Sequence, residues 1–222
     1  MSIKTANAFG LTMLNDTGCY PGGKSLGANK DAYVREKELF DECLSNVRSE
    51  APVMIEIGSY WALWSLLFRK KFPTGMNILI ELFEELMEVG VQNFELNGFT
   101  DRVHAYHGGI GLEESRTFKY VMGRPDTGEE LDLMEIVNEN NIDVIDVLHC
   151  DIQGSEMLFL ETYSNLFDEK VVKNIVIGTH SSTSSRYDLH GSVLRFLEKR
   201  DYEIVQDFPM LSSDGHIYAK AR

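Results

Sequence analysis

Apolar and polar positions along this chain follow two periods in turn. Short apolar runs, VMIEI (53–57), MNILIEL (76–82), DVIDVLHCD (143–151) and the NIVIG core of VVKNIVIGTH (171–180), read as strands. DRVHAYH (101–107), YEIVQDF and GHIYAKA add three more. Between them, apolar residues at helical spacing predict helices over 62–72, 84–98, 128–140, 155–167 and 188–200. The first of these stops at Pro73 and Gly75, the second at Asn97-Gly98. Tyr33, Val34, Leu39, Phe40, Cys43, Leu44 and Val47 mark an earlier amphipathic helix from Asp31 onward. Residues 1–30, rich in Gly, Asn and Thr, show no long period and read as an arm or lid. Residues 108–128 fit neither period.

Strands alternating with helices imply an α/β fold: a Rossmann-like, mostly parallel seven-stranded sheet with helices on both faces. PMLSSDG, joining the last two strands, is too short for a helical crossover. The C-terminal strand is therefore expected to run antiparallel and to end the sheet. Residues 1–50 form the expected arm and helix, and 51–222 the main domain.

Composition narrows the function classes. The 222 residues carry a formal net charge of −14, which repels a phosphate backbone and argues against nucleic-acid partners. The densest basic run, FRKKF (68–72), is short. Cys19, Cys43 and Cys150 lack zinc-like spacing and read as free thiols. No run is long enough to span a membrane, and the N-terminal stretch lacks a signal-peptide core, so the expected location is cytoplasmic. A homo-oligomer is compatible with this composition.

One motif points elsewhere. GCYPGGKS (18–25) matches the phosphate-cradling pattern G-x-x-x-x-G-K-[ST] and raises the alternative of a P-loop phosphotransferase. Its context is poor. NAFGLTMLNDT is a weak buried strand, and Gly27 and Asn29 fall where the following helix should be firm. The segment reads instead as part of the lid, with Tyr20 and Lys24 as substrate contacts.

In an open α/β sheet, ligands sit beyond the carboxyl ends of the strands. The candidates there are Glu56, Gly58, Ser59 and Tyr60 after the first strand, Glu81 after the second, and His107 and Gly108 after the third. Asp151, Gln153 and Glu156 follow the fourth, and His180 the fifth. Glu81 lies 23 residues beyond Gly58, a placement suited to accepting hydrogen bonds from ribose hydroxyls. Positions 60 and 63 are Tyr and Leu, so the dinucleotide pattern is absent and a cofactor without phosphates fits better. Glu156 reads equally well as an acid favoured by the first turn of the next helix.

VMIEIGSYWALWS resembles the first motif of class I S-adenosylmethionine-dependent methyltransferases, and NILIEL their second. IDVLHCDIQGSEMLFLE resembles the fourth-strand signature of their FkbM-type family, with the likeness running over about residues 50–207. Ala62 stands where that family often has a second glycine. The resemblance implies a class I methyltransferase fold and S-adenosylmethionine as cofactor. Glu56 would anchor its methionine end, Gly58, Ser59 and Tyr60 would line that moiety, Glu81 would hold the ribose, and His107 and Gly108 would contact adenine. Asp151 would sit beside the reactive methyl. The implied reaction is O-methylation of a hydroxyl on a small molecule, a sugar or natural product. Asp151 and His180 are the catalytic candidates, acting as an oriented general base or as ligands of a divalent metal. Gln153, Arg186 and His190 are further substrate candidates. A SAM-fold subunit without catalysis is the remaining alternative.

Overall fold

The computed structural model describes residues 5–14, 30–111, 128–180, 188–209 and 214–222. The motif at 18–25, with Tyr20 and Lys24, and Arg186 lie outside them. Nine strands are described: β1 (Thr5–Ala8), β2 (Leu11–Leu14), β3 (Val53–Ile57), β4 (Met76–Glu81), β5 (Val103–His107), β6 (Val147–Cys150), β7 (Asn174–His180), β8 (Tyr202–Phe208) and β9 (Asp214–Ala221). The helices are α1 (Lys30–Asn46), α2 (Leu63–Lys71), α3 (Glu84–Leu96), α4 (Leu133–Glu139), α5 (Glu156–Thr162), α6 (Ser164–Asp168) and α7 (Leu189–Lys199).

Seven strands form one sheet in the order β5-β4-β3-β6-β7-β9-β8. β3 to β7 pair in parallel, and β9 runs antiparallel to both β7 and β8. The antiparallel C-terminal strand is present, but it does not end the sheet. β8 arrives one place further out, and β9 turns back into the gap between β7 and β8. The chain steps outward from β3 to β5, then crosses to the other side of β3 at β6. That reversal makes the carboxyl ends of β3 and β6 the switch point.

Covering both faces explains the apolar runs. β6 is buried at every position, and β7 at all but its last. The edge strand β5 is only partly buried. One face packs Leu39, Phe40, Cys43 and Leu44 of α1 with Leu66 and Phe68 of α2 and Phe94 of α3. The other packs Leu133 and Ile136 of α4 with Phe159, Phe167, Val193 and Phe196 of α5 to α7.

Two predicted helices are shorter than their pattern. The 128–140 stretch becomes helical only at Leu133, where Asp132 Oδ1 caps it by accepting from the Met134 N–H at 2.8 Å. Residues ahead of the cap pair with the end of β5 instead: Gly109 N–H donates to Glu129 O and Leu131 N–H to Gly109 O. The 155–167 stretch breaks at Tyr163 into α5 and α6. Within the basic run, Lys70 and Lys71 are exposed but Arg69 is not. Arg69 is 1% exposed, donates to Gly75 O and pairs with Asp101 at 2.8 Å.

The larger difference lies in the predicted arm. β1 and β2 form an antiparallel hairpin whose Leu11, Met13 and Leu14 join the α1–α3 core. Four residues per strand are too few to display a period, so the pattern was invisible in the sequence. Side chains of the main domain hold the hairpin. Lys70 Nζ donates to Phe9 O and Gly10 O at the turn. Asn97 both accepts from Thr12 N–H and donates to Thr12 O, acting as a partner strand would. Asn93, fully buried, accepts from Leu14 N–H at 2.8 Å and donates to Trp61 O at 3.1 Å. Removing a buried partner leaves unsatisfied groups costing about 1–3 kcal/mol. Asn93→Ala is therefore expected to destabilise the protein by about that much in chemical denaturation. Asn97→Ala, at a more exposed position, should cost less.

Candidate active site

The Gly58-Ser59 turn closes β3 against its neighbours. Both N–H groups donate to Ile80 O, at 2.9 and 3.0 Å. Gly58 has φ 78°, and a Cβ there would lie 2.0 Å from the Asp151 carbonyl oxygen. The side where a Cβ would stand is filled by the backbone at the end of β6. Four residues on, Ala62 adopts φ 62°, ψ 36°, the left-handed conformation a glycine would take without strain.

Glu81 braces this turn. It is 5% exposed; Oε2 accepts from Tyr60 N–H at 2.7 Å and Oε1 from Phe83 N–H at 3.0 Å. Burial pushes its carboxyl above the usual range, and these N–H donors oppose the shift. Each oxygen keeps a lone pair for another donor. The Ser59 hydroxyl is buried with no hydrogen-bond partner among the described residues.

His107 donates from Nε2 to Leu82 O at 3.1 Å. Gly108 is covered: a Cβ there would meet Glu129 O at 2.5 Å and the Leu131 side chain at 2.6 Å. Residues 128–131 thus pack against Gly108.

Glu56 does not face the strand-end opening. It is 1% exposed, and Oε2 accepts from Ser65 N–H in the first turn of α2 at 3.0 Å. Its Oε1 lies 4.0 Å from His149 Nδ1, while His149 Nε2 donates to Glu36 Oε1 of α1 at 3.2 Å. His216 Nε2 is 3.6 Å from Glu36 Oε2, and Trp64 stacks on the His149 ring. Burial raises the Glu56 carboxyl from its ordinary 4.5 to about 7, with His149 opposing, and pushes His149 down. Both shifts favour the neutral forms, a protonated Glu56 facing an unprotonated Nδ1.

Asp151, Glu156, Gln153 and His180 do come together, where β6 and β7 end. Glu156 is fully buried, and its Oε1 lies 3.0 Å from His180 Nδ1. Gln153 Nε2 is 2.8 Å from Asp151 Oδ1 and 3.0 Å from His180 Nε2. A carboxylate only accepts, so the amide NH₂ must face Asp151. Its other N–H then donates to His180 Nε2, which places the ring proton on Nδ1, donated to Glu156. A buried carboxylate holding one imidazole nitrogen fixes the other as the proton acceptor, the orienter-and-base arrangement. Asp151, Glu156 and His180 also offer ligand atoms all within 4.8 Å of one another, and Glu156 Oε2 is buried without a partner among the described residues. They could hold a divalent ion.

Glu156 is the member the sequence reading left undecided. Its spacing suits a helix-start acid, which it also is, and nothing local shows that β7 brings His180 onto it. His190 goes elsewhere: Nδ1 meets Thr179 Oγ1 and Nε2 meets Asp207 Oδ1, both at 2.7 Å, tying α7 to β7 and β8.

Comparison with known proteins identifies the family and the fold. Residues 27–204 match the methyltransferase FkbM domain. A protein of Jannaschia sp. (strain CCS1), itself named only provisionally as a methyltransferase, is 43% identical over 72 residues, which span 32% of this chain and 23% of that protein. Among solved structures, the METTL16 methyltransferase domain superposes with a TM-score of 0.56 at 12% identity, covering 85% of this chain and 67% of the other. M. capricolum TrmK, solved with S-adenosyl-homocysteine, gives 0.52 at 13% identity, covering 82% and 67%. Likeness at such identities establishes the fold.

Two outcomes follow for this end of the sheet. Gly58→Ala should destabilise by at least about 2 kcal/mol, since the backbone at Asp151 must move and the φ is wrong for alanine. Ala62→Gly should be neutral or gain up to about 1 kcal/mol; both are read from denaturation midpoints. For Glu56, a raised folded pKa means stability that is complete below about 4.5 and lost as pH rises through about 7. The depressed His149 acts oppositely, losing stability as pH falls below its ordinary 6.5. Glu56→Gln mimics the protonated acid, so it should flatten the decline between pH 5 and 7 by up to about 3 kcal/mol.

Proposed function

Since the chain belongs to the FkbM methyltransferase domain family, we propose that it is an S-adenosylmethionine-dependent methyltransferase that O-methylates a hydroxyl on a small molecule, of the sugar or natural-product class. The observation that carries this reading is the Glu156–His180–Gln153–Asp151 chain at the strand ends flanking the switch point. The residues present fit the cofactor. Glu81 keeps lone pairs for two ribose hydroxyls, and the unpartnered Ser59 hydroxyl with the Tyr60 backbone lines the place for the methionine end. Glu56 supports this from behind by fixing the start of α2, rather than by touching the cofactor. When bound, S-adenosylmethionine supplies an electrophilic methyl group on sulfur.

His180 Nε2 removes the acceptor proton as the oxygen forms its bond to carbon. The buried Glu156 holds Nδ1–H and stabilises the imidazolium that results. Asp151 orients the acceptor, and much of the acceleration comes from positioning the two reactants. The net charge of −14 supports a small acceptor over a nucleic acid. No helix among the described residues is long and apolar enough to cross a membrane.

A second reading has Asp151, Glu156 and His180 holding a divalent ion that acidifies the hydroxyl. It is supported by their mutual distances and by the orphaned Glu156 Oε2.

Calorimetric titration tests the cofactor assignment: S-adenosylmethionine should bind and ATP should not. Tight ATP binding that depends on Lys24, without S-adenosylmethionine binding, would overturn it. Binding without turnover on a broad hydroxyl panel would instead favour a silent subunit. His180→Ala should lower turnover at least 100-fold with cofactor affinity within about threefold, and Glu156→Gln should lower it less. Dialysis against EDTA separates the two readings. Retained turnover supports His180 as base; loss reversed by Mg²⁺ or Mn²⁺ supports the metal.

A further inference from the structure

One nitrogen already sits where the methyl acceptor is proposed to lie. The Gln153 amide nitrogen bridges Asp151 Oδ1 and His180 Nε2, at 2.8 and 3.0 Å, and those two acceptor atoms are 3.4 Å apart. Two hydrogen-bond acceptors this close repel unless donors fill the space between them. Here a single atom bearing two hydrogens fills it. A hydroxyl oxygen carries only one hydrogen, so it would satisfy one of the two acceptors and leave the other facing its lone pairs. A primary amino nitrogen carries two and reproduces the Gln153 pattern.

We propose that this seat also accepts primary amines, giving the protein an N-methyltransferase activity on small amines. The inference rests on the methyltransferase reading above and extends its acceptor class. The chemistry balances. An incoming ammonium gives one proton to solvent, and its nitrogen then places one N–H on Asp151 and one on His180. The lone pair, directed away from both, forms the new C–N bond as the methyl carbon–sulfur bond breaks. The resulting secondary ammonium gives its proton to His180 Nε2, and Glu156 holds the imidazolium through Nδ1. The products are N-methylamine, S-adenosylhomocysteine and two protons, one given to solvent on binding and one carried off by His180. Two carboxylates beside the seat, Asp151 and Glu156, draw a cationic amine toward it. Gln153 itself is exposed, so its amide can be displaced into water without disturbing the core.

The test uses the full chain with ¹⁵N-labelled histidine, saturated with S-adenosylhomocysteine, and follows the His180 ring signals assigned with a His180→Asn variant. Three probes of one shape are titrated: benzylamine, benzyl alcohol and benzyltrimethylammonium. Benzylamine is expected to shift the signals at concentrations at least tenfold lower than either of the others. Gln153→Ala should bind it several-fold more tightly, because no amide must be displaced. With S-adenosylmethionine in place of the product, mass spectrometry should detect N-methylbenzylamine. An equal response to the alcohol shows no preference for a second N–H, and an equal response to the quaternary ion shows attraction by charge alone. Either result, or silence with all three probes, overturns the proposal while leaving O-methylation standing. Failure of S-adenosylhomocysteine to bind overturns the methyltransferase reading, and this one with it.

Discussion

At Gly58 the end of β3 comes so near the end of β6 that one methyl group would lie 2.0 Å from the Asp151 carbonyl oxygen. The rest of the candidate site depends on this approach. The parallel pairing of β3 with β6 runs directly into it, with Asp151 N–H donating to Ile57 O at 3.0 Å. Gly58 and Ser59 are tied on the other side to Ile80, and Tyr60 to the Glu81 carboxylate. The turn, the ribose-holding candidate and the Asp151 main chain thereby form one rigid unit. Asp151 can present its side chain to His180 on the next strand only because its backbone is fixed by a residue with no side chain.

Behind that unit lies a buried row of ionisable groups: Glu56, His149, Glu36 and His216, drawn from β3, β6, α1 and β9. Such a row is costly to desolvate, and a neutral Glu56–His149 pair lowers that cost. What it provides is position. Glu56 fixes the first turn of α2, and Glu36 fixes α1 against the middle of the sheet. The two carboxylates that close the opposite side, Glu81 and Glu156, are likewise buried and hydrogen-bonded to neighbouring N–H groups. The four acids share a residue type, yet Glu36 and Glu56 brace helices, while Glu81 is proposed to offer lone pairs to a ligand and Glu156 to orient a base.

That division explains how far the site was legible in the sequence. Gly58, Glu81, Asp151 and His180 could be named because they stand immediately after strand-like runs, where an α/β sheet puts its ligands. The functions of Glu56 and Glu156 could not be separated by the same logic. Glu56 turns toward α1 because β3 alternates its side chains between faces, and its parity puts it on the His149 side. Glu156 meets His180 because β6 and β7 pair in parallel, a contact across 24 residues. The hairpin of β1 and β2 was hidden for a different reason: its strands are short, and most of what holds it comes from Lys70, Asn93 and Asn97 of the main domain.

The sequence by itself determined the local period of each main-sheet strand and the helices between them, hence the α/β class, and the glycine and acids that punctuate the strand ends. These are short-range properties, set by side-chain alternation and turn chemistry within a few residues. Only the tertiary structure decided which acid faces which partner, where β9 inserts, how the N-terminal segment docks, and that Gln153 bridges Asp151 and His180. Those outcomes rest on pairings between residues far apart in the chain, on strand order and on burial, which a one-dimensional pattern does not carry.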